Sequence, residues 1–207
     1  MKRLLDINNW ARKEHFNFFR QFDEPFFGVT VNVDCTNAYK KAKELSASFF
    51  LYYMHCSMVA ANETEPFRYQ ISGDSVWIYD KVHSSPTINR PDGTFGFGYL
   101  EYYPLFAEFV ENALPAIKSV QESTALMPAI LGDNVIHYSS LPWINFTSLS
   151  HARSFSFKDS CPKISFGKMT DLNGKLSMPV SIHVHHALMD GYHVGQFINR
   201  LQTLLEE

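Results

Sequence analysis

His185-His186-Ala187-Leu188-Met189-Asp190-Gly191 stands where an alternating run ends and an amphipathic stretch begins. Upstream, Leu176, Met178, Val180, Ile182 and Val184 share one face of an extended chain, and Ser177, Ser181, His183 and His185 share the other. Continuing the alternation puts His186 on the apolar side, shielded from water, and burial favours the neutral imidazole that a general base requires. Downstream, Val194, Phe197, Ile198, Leu201, Leu204 and Leu205 form the apolar stripe of a closing helix that starts near Gly191, with Asp190 able to cap it. A strand, a tight turn and a helix in that order call for layered sheet and helix, with the turn held rigidly at the rim of a cleft.

The rest of the chain fits that frame. A hairpin turns at Asn173-Gly174 between residues 164–169 and 176–185, and a second one flanks Gly73-Asp74 between residues 67–71 and 75–79. Strands are expected at residues 26–33, 95–100 and 135–138. A first helix capped by Asn8 or Asn9 should run to about Phe22, two helical patches should meet near residues 46–48, and a further helix should start at Pro104. With 207 residues, 45% of them hydrophobic, the chain is long enough for a single α/β domain (an α+β two-layer sandwich) over residues 1–207, a mixed sheet flanked by helices. Its 18 Phe, 10 Tyr and 3 Trp exceed what an aliphatic core of this size needs, so rings either fill the core or line a pocket or subunit contact.

The balance of 18 basic and 21 acidic residues, with no basic block, argues against a nucleic-acid surface. No apolar run approaches a membrane span, and residues 1–6 lack the stretch of a signal peptide, so a cytoplasmic protein is expected. Cys35, Cys56 and Cys161, an odd number at wide spacing, fit reduced thiols. The histidines around the turn allow three readings: a hydrogen-bonded core histidine, a metal site built from His183, His185 and either His193 or Asp190, or a catalytic base. Spacing alone supplies no third metal ligand, and Asp190 lies close enough to His186 to suggest a Ser-His-Asp triad.

The string from His185 to Gly191 resembles the HHxxxDG signature of CoA-dependent acyltransferases. Two further stretches narrow the resemblance to the chloramphenicol acetyltransferase family. Trp10-Ala11-Arg12-Lys13-Glu14-His15-Phe16 is similar to that family's W-x-R-[KR]-E-H-F opening, and Leu141-Pro142-Trp143-Ile144-Asn145-Phe146-Thr147-Ser148 to its Pro-Trp-x-x-Phe-x-Ser segment. The similarity continues through the C-terminal helix, so it runs from about Asp6 to Leu204.

The resemblance implies direct acetyl transfer from acetyl-CoA to a hydroxyl of chloramphenicol, without a metal and without an acetyl-enzyme. His186 would be the general base through Nε2, Ser148 the donor to the oxyanion, and Ser165 a support acting through a bound water. Asp190 would pair with Arg12 in a buried ion pair rather than serve a triad. The resemblance also implies a homotrimer, with each histidine facing a pocket formed largely by the neighbour, and an acceptor pocket walled in part by Phe18, Phe19, Phe95 and Phe97. Here the chain departs from the family: Phe19 stands where a tyrosine is usual and Phe97 where a small residue is usual. The aromatic expected just before Pro162 is missing from Ser160-Cys161-Pro162. The rival readings are an O-acetyltransferase for another small hydroxylated acceptor, a noncatalytic trimeric binding protein of the same fold, and a metal-dependent enzyme.

Overall fold

The computed structural model describes residues 1–207 apart from 129–131, 155 and 157–158. The first elements differ from the sequence reading. After a short strand β1 (Lys2–Leu4), Asp6 rather than an asparagine accepts from the amides of Asn8 and Asn9, at 3.1 and 3.4 Å, and caps only a 3₁₀ turn at Ile7–Asn9. Trp10 is extended, so helix α1 is confined to Lys13–Phe19 and delivers Arg12 at its N-cap position and Phe19 at its last turn.

Strand β2 (Phe26–Asp34) is followed by helices α2 (Thr36–Glu44) and α3 (Phe49–Glu63), separated where Ser46 takes a left-handed conformation. A hairpin of β3 (Tyr69–Ser72) and β4 (Ser75–Tyr79) turns at Gly73, whose positive φ suits glycine. Then come β5 (His83–Asn89), β6 (Phe95–Phe97), helix α4 (Phe106–Glu122) and β7 (Val135–Ser140). Strand β5 was not expected. It has no period-two apolar pattern and carries Pro86 in its interior. Strand β6 stops at Phe97, and Leu100 only bridges back to Ser84.

The Asn173-Gly174 turn closes a hairpin whose incoming arm is interrupted. β8 (Lys163–Phe166) and β9 (Thr170–Leu172) both pair with the long β10 (Lys175–His185), and helix α5 (Gly191–Glu206) ends the chain. The large sheet runs in the order β2-β10-β8-β7-β5-β6, with β9 added on β10, and β1-β4-β3 form a separate small sheet. Pairings are antiparallel except for the parallel β8-β7 and β7-β5 contacts, so the sheet is mixed. The fold is α/β, a mixed sheet flanked, among the described residues, by five α-helices.

The two faces of the large sheet differ sharply. One buries Ile136, Tyr138, Ile164, Phe166, Val180 and Ile182 under the helices, with Tyr138 bonded to Ser57 of α3 at 3.0 Å and Phe166 packed on Tyr53 at 4.5 Å. The other is polar and lies partly under the segment between β7 and β8. Cys35, Cys56 and Cys161 are buried and free. Among the described residues no helix is long and apolar enough to cross a membrane.

Candidate active site

The antiparallel ladder between β10 and β2 ends at His185 opposite Phe26, and the amide of His186 still reaches Pro25 O at 2.8 Å. Past that point the chain turns. His186 is half-buried rather than hidden in the apolar layer. Its ring stacks on Phe19 with centroids 3.9 Å apart and planes 16° apart, and Phe27 packs at 4.7 Å. The Nδ1 atom lies 3.2 Å from the carbonyl oxygen of Met189. A carbonyl only accepts, so Nδ1 carries the proton and Nε2 keeps its lone pair in the neutral ring.

The turn is braced from outside. Arg12 donates Nη1 to Asp190 Oδ2 and Nη2 to the carbonyl of His186 at 3.1 Å, so one guanidinium ties together both ends of the turn. Asp190 also caps α5: its Oδ1 accepts from the amide of Tyr192 at 3.0 Å and lies 2.9 Å from His193 Nδ1. Burial opposes ionisation of this carboxyl, but the charges of Arg12 and His193 outweigh it and hold the group below its ordinary value. Asp190 therefore faces Arg12 and His193, and the Nδ1 of His186 is bonded to a main-chain carbonyl. The geometry matches an ion pair and not a Ser-His-Asp relay.

His185 and His183, which could have joined a metal site, are engaged locally. Nδ1 of His185 accepts from the amide of Ala187 at 3.2 Å, and burial followed by the Arg153 charge pushes this group down to about 4. The ring of His183 lies against Gly28, where an added Cβ would come within 2.3 Å of Nε2. Among the described residues no three His, Cys, Asp or Glu side chains converge as a metal set.

The remaining expected residues lie elsewhere. Ser148 is exposed, on the segment leading to Leu149. Ser165 in β8 is fully buried, and its hydroxyl has no hydrogen-bond partner among the described residues. Phe18 is 60% exposed and packs edge-on against Phe19, at the His186 end of the sheet. Phe95 and Phe97 sit on β6, at the far edge, edge-on to one another at 5.6 Å. A cavity of about 700 Å³ opens there, with Phe50, Ile117 and Leu149 among its apolar walls and Ser139, His151 and Ser165 among its polar ones. Phe95 lines it, whereas Phe97 and His186 do not. Within one chain, then, the four phenylalanines do not wall a single pocket. They form two pairs at opposite edges of the sheet.

Sequence reasoning missed Phe27, Lys163 and His151. Cross-strand register is the signal that would have found Lys163, since β8 places it directly opposite both His137 of β7 and His183 of β10. His151 lies outside regular structure and reaches His183 edge-on at 4.8 Å, a contact that no local pattern encodes.

Comparison with known proteins covers nearly the whole chain. Residues 2–202 match a family model described as chloramphenicol acetyltransferase. Chloramphenicol acetyltransferase 3 of Escherichia coli is 31% identical over 203 residues, 97% of this chain and 95% of its own. The chloramphenicol acetyltransferase of Bacillus pumilus is 30% identical over 200 residues, 96% of this chain and 91% of its own. A solved chloramphenicol acetyltransferase superposes with a TM-score of 0.91 at 32% identity, covering 99% of this chain and 100% of that one. At 14% identity, a truncated catalytic core of the 2-oxoacid dehydrogenase multienzyme complex from Thermoplasma acidophilum shares the fold alone, with a TM-score of 0.67 over 99% of this chain and 98% of its own. The chain belongs to the chloramphenicol acetyltransferase family and is an acyltransferase.

Proposed function

We propose that this protein transfers acetyl directly from acetyl-CoA to a hydroxyl of chloramphenicol, with His186 as general base. The observation that carries the reading is the contact of His186 Nδ1 with Met189 O, which leaves Nε2 as the basic atom. Nε2 takes the proton of the acceptor hydroxyl as its oxygen bonds to the thioester carbonyl carbon. The carbonyl electrons move onto oxygen, and the Ser148 hydroxyl donates to that oxyanion, with Ser165 aiding through water. When the carbonyl re-forms, the C–S bond breaks, and the departing thiolate takes the proton back from the imidazolium. No bond to the enzyme forms, so both substrates must be held together, and positioning supplies much of the rate. The ion pair of Arg12 with Asp190 keeps the turn in shape.

The separation of the half-sites supports a homotrimer. His186, Phe18 and Phe19 lie at the β2 edge and the cavity with Phe95 at the β6 edge, so a neighbouring copy can bring the base of one chain to the acceptor cavity of the next. Phe18 at 60% and Trp143 at 67% exposure are large rings that such a contact would cover. The three buried free thiols fit a cytoplasmic setting.

The test follows free CoA thiol released from acetyl-CoA with and without chloramphenicol. Acceptor-dependent release is expected. His186→Ala should lower kcat by at least about 10²–10⁴-fold, the usual contribution of a general base. Release that does not depend on chloramphenicol refutes the acceptor, and full turnover by His186→Ala refutes the mechanism.

A further inference from the structure

Strand β6 is three residues long, lies at the edge of the large sheet and pairs with β5 through Thr87–Asn89. So short an edge strand is weakly held by its ladder alone, yet Phe95 within it walls the cavity. What fastens it is Arg90, which follows β5 and is only 8% exposed. Its guanidinium donates Nε to Val120 O at 3.0 Å, Nη1 to Phe95 O at 3.3 Å and Nη2 to Ala125 O. All three acceptors are main-chain carbonyls. Val120 belongs to the last turn of α4, where carbonyls lack helical partners and the helix dipole favours a cation. Gly96 leaves room for this arrangement, because an added Cβ would press into Arg90 Nη2 and Val120 Cγ1. The segment after α4 is then close enough for the Phe97 amide to reach Leu126 O at 2.8 Å.

We propose that Arg90 is a positioning residue for acetyl transfer, which fastens β6 to the end of α4 and so sets the fit of the acceptor in the cavity. The inference rests on the reading of that cavity as the acceptor site. Three of its lining residues sit one bond or one residue from the guanidinium: Asn89 precedes Arg90, Phe95 supplies an acceptor carbonyl, and Gln121 follows Val120. A cation bonded to three segments at once holds them in one geometry, and a planar fork loses less freedom per bond than a lysine would. None of these bonds reaches His186, which stands at the opposite edge of the sheet. Arg90 therefore acts on how the acceptor is held and not on the proton transfer.

The test uses Arg90→Met, which keeps the length and loses every donor, and Arg90→Lys, which keeps the charge on a single nitrogen. One arm measures kcat and both KM values by CoA thiol release. Arg90→Met should raise KM for chloramphenicol about tenfold and leave kcat and KM for acetyl-CoA within about twofold, the pattern of lost uniform binding. Arg90→Lys should raise KM for chloramphenicol about threefold, and it decides alone if Arg90→Met does not fold. A merely structural role would lower the active fraction, and with it kcat, while leaving both KM values in place. A second arm follows hydrogen exchange by mass spectrometry in peptides covering residues 90–97 and 120–126, with residues 177–185 of β10 as the reference. The first two should exchange about tenfold faster in Arg90→Met while the reference is unchanged. A KM for chloramphenicol that stays put or rises in step with that for acetyl-CoA, or exchange at the two peptides no faster than in the unmodified protein, overturns the proposal. If both peptides loosen while the unmodified protein releases no thiol in response to chloramphenicol, Arg90 stands as the fastener of the cavity wall and the chloramphenicol reading falls.

Discussion

Ser165 and Phe166 are neighbours in β8, both fully buried, and they belong to opposite faces of one sheet. Phe166 touches Tyr53 and stacks parallel to Tyr138, ring contacts of the kind that hydrophobic burial rewards. Ser165 lines a cavity with its hydroxyl unpartnered among the described residues. Burial alone therefore does not separate core from site in this molecule. Satisfaction does: among the described residues the helix-covered face of the large sheet strands no buried polar side-chain atom, and the loop-covered face carries groups still in need of a partner.

Phe166→Ala should break the contrast hardest, with a loss of about 3–5 kcal/mol as a large aromatic leaves a tightly packed layer. Thermal unfolding should then fall by on the order of 10 °C. An unchanged midpoint would mean that the helix-covered face is not the packed one. Gly28→Ala comes next. Its new methyl would press on the ring of His183, and a cost of about 1–3 kcal/mol is expected from overpacking, with less if the ring swings outward.

Acid titration gives a smaller effect that sharpens the comparison. His151 and His185 ordinarily titrate near 6.5 but are held at about 4 in the folded chain. Between those values the unfolded chain binds more protons, so stability is fully present above about pH 6.5 and declines as pH falls toward 4. His151→Leu removes one of these groups, and its urea midpoint should decline less steeply over that window than that of the unmodified protein. Parallel curves would remove His151 from the set of buried neutral histidines. Ser165→Ala should have the smallest effect on stability, within about 0.5 kcal/mol, because no bond among the described residues is lost. A loss of more than about 2 kcal/mol by chemical denaturation would show that the hydroxyl is satisfied after all.

The sequence made the helix-covered face easy to read and the other face hard, for the same reason. Alternation from Leu176 to Val184 works because one side of β10 meets hydrocarbon, and Asp190 before Gly191 announces α5 through an ordinary cap. Strand β5 escaped because His83, Ser84, Ser85 and Thr87 give no apolar rhythm to detect, although most of the strand is buried. The extent of α1 was misjudged because aromatic residues at helical spacing continue past Phe19 while the backbone does not. At the site, the motif residues His186, Asp190 and Arg12 were legible and the structure brings them together. The division of Phe18 and Phe19 from Phe95 and Phe97 depends on strand order across six strands, which the spacing of residues along one chain does not contain.

The partner of His186 Nδ1 is a main-chain oxygen, that of Met189. Every amino acid supplies that oxygen, so no point substitution at position 189 can delete it. Side chains such as Phe19, Phe97, His151 and Lys163 can drift under selection for new compounds while the choice of which imidazole nitrogen bears the proton is inherited unchanged. That arrangement gives the scaffold mutational robustness at its turn and leaves the variation to its walls.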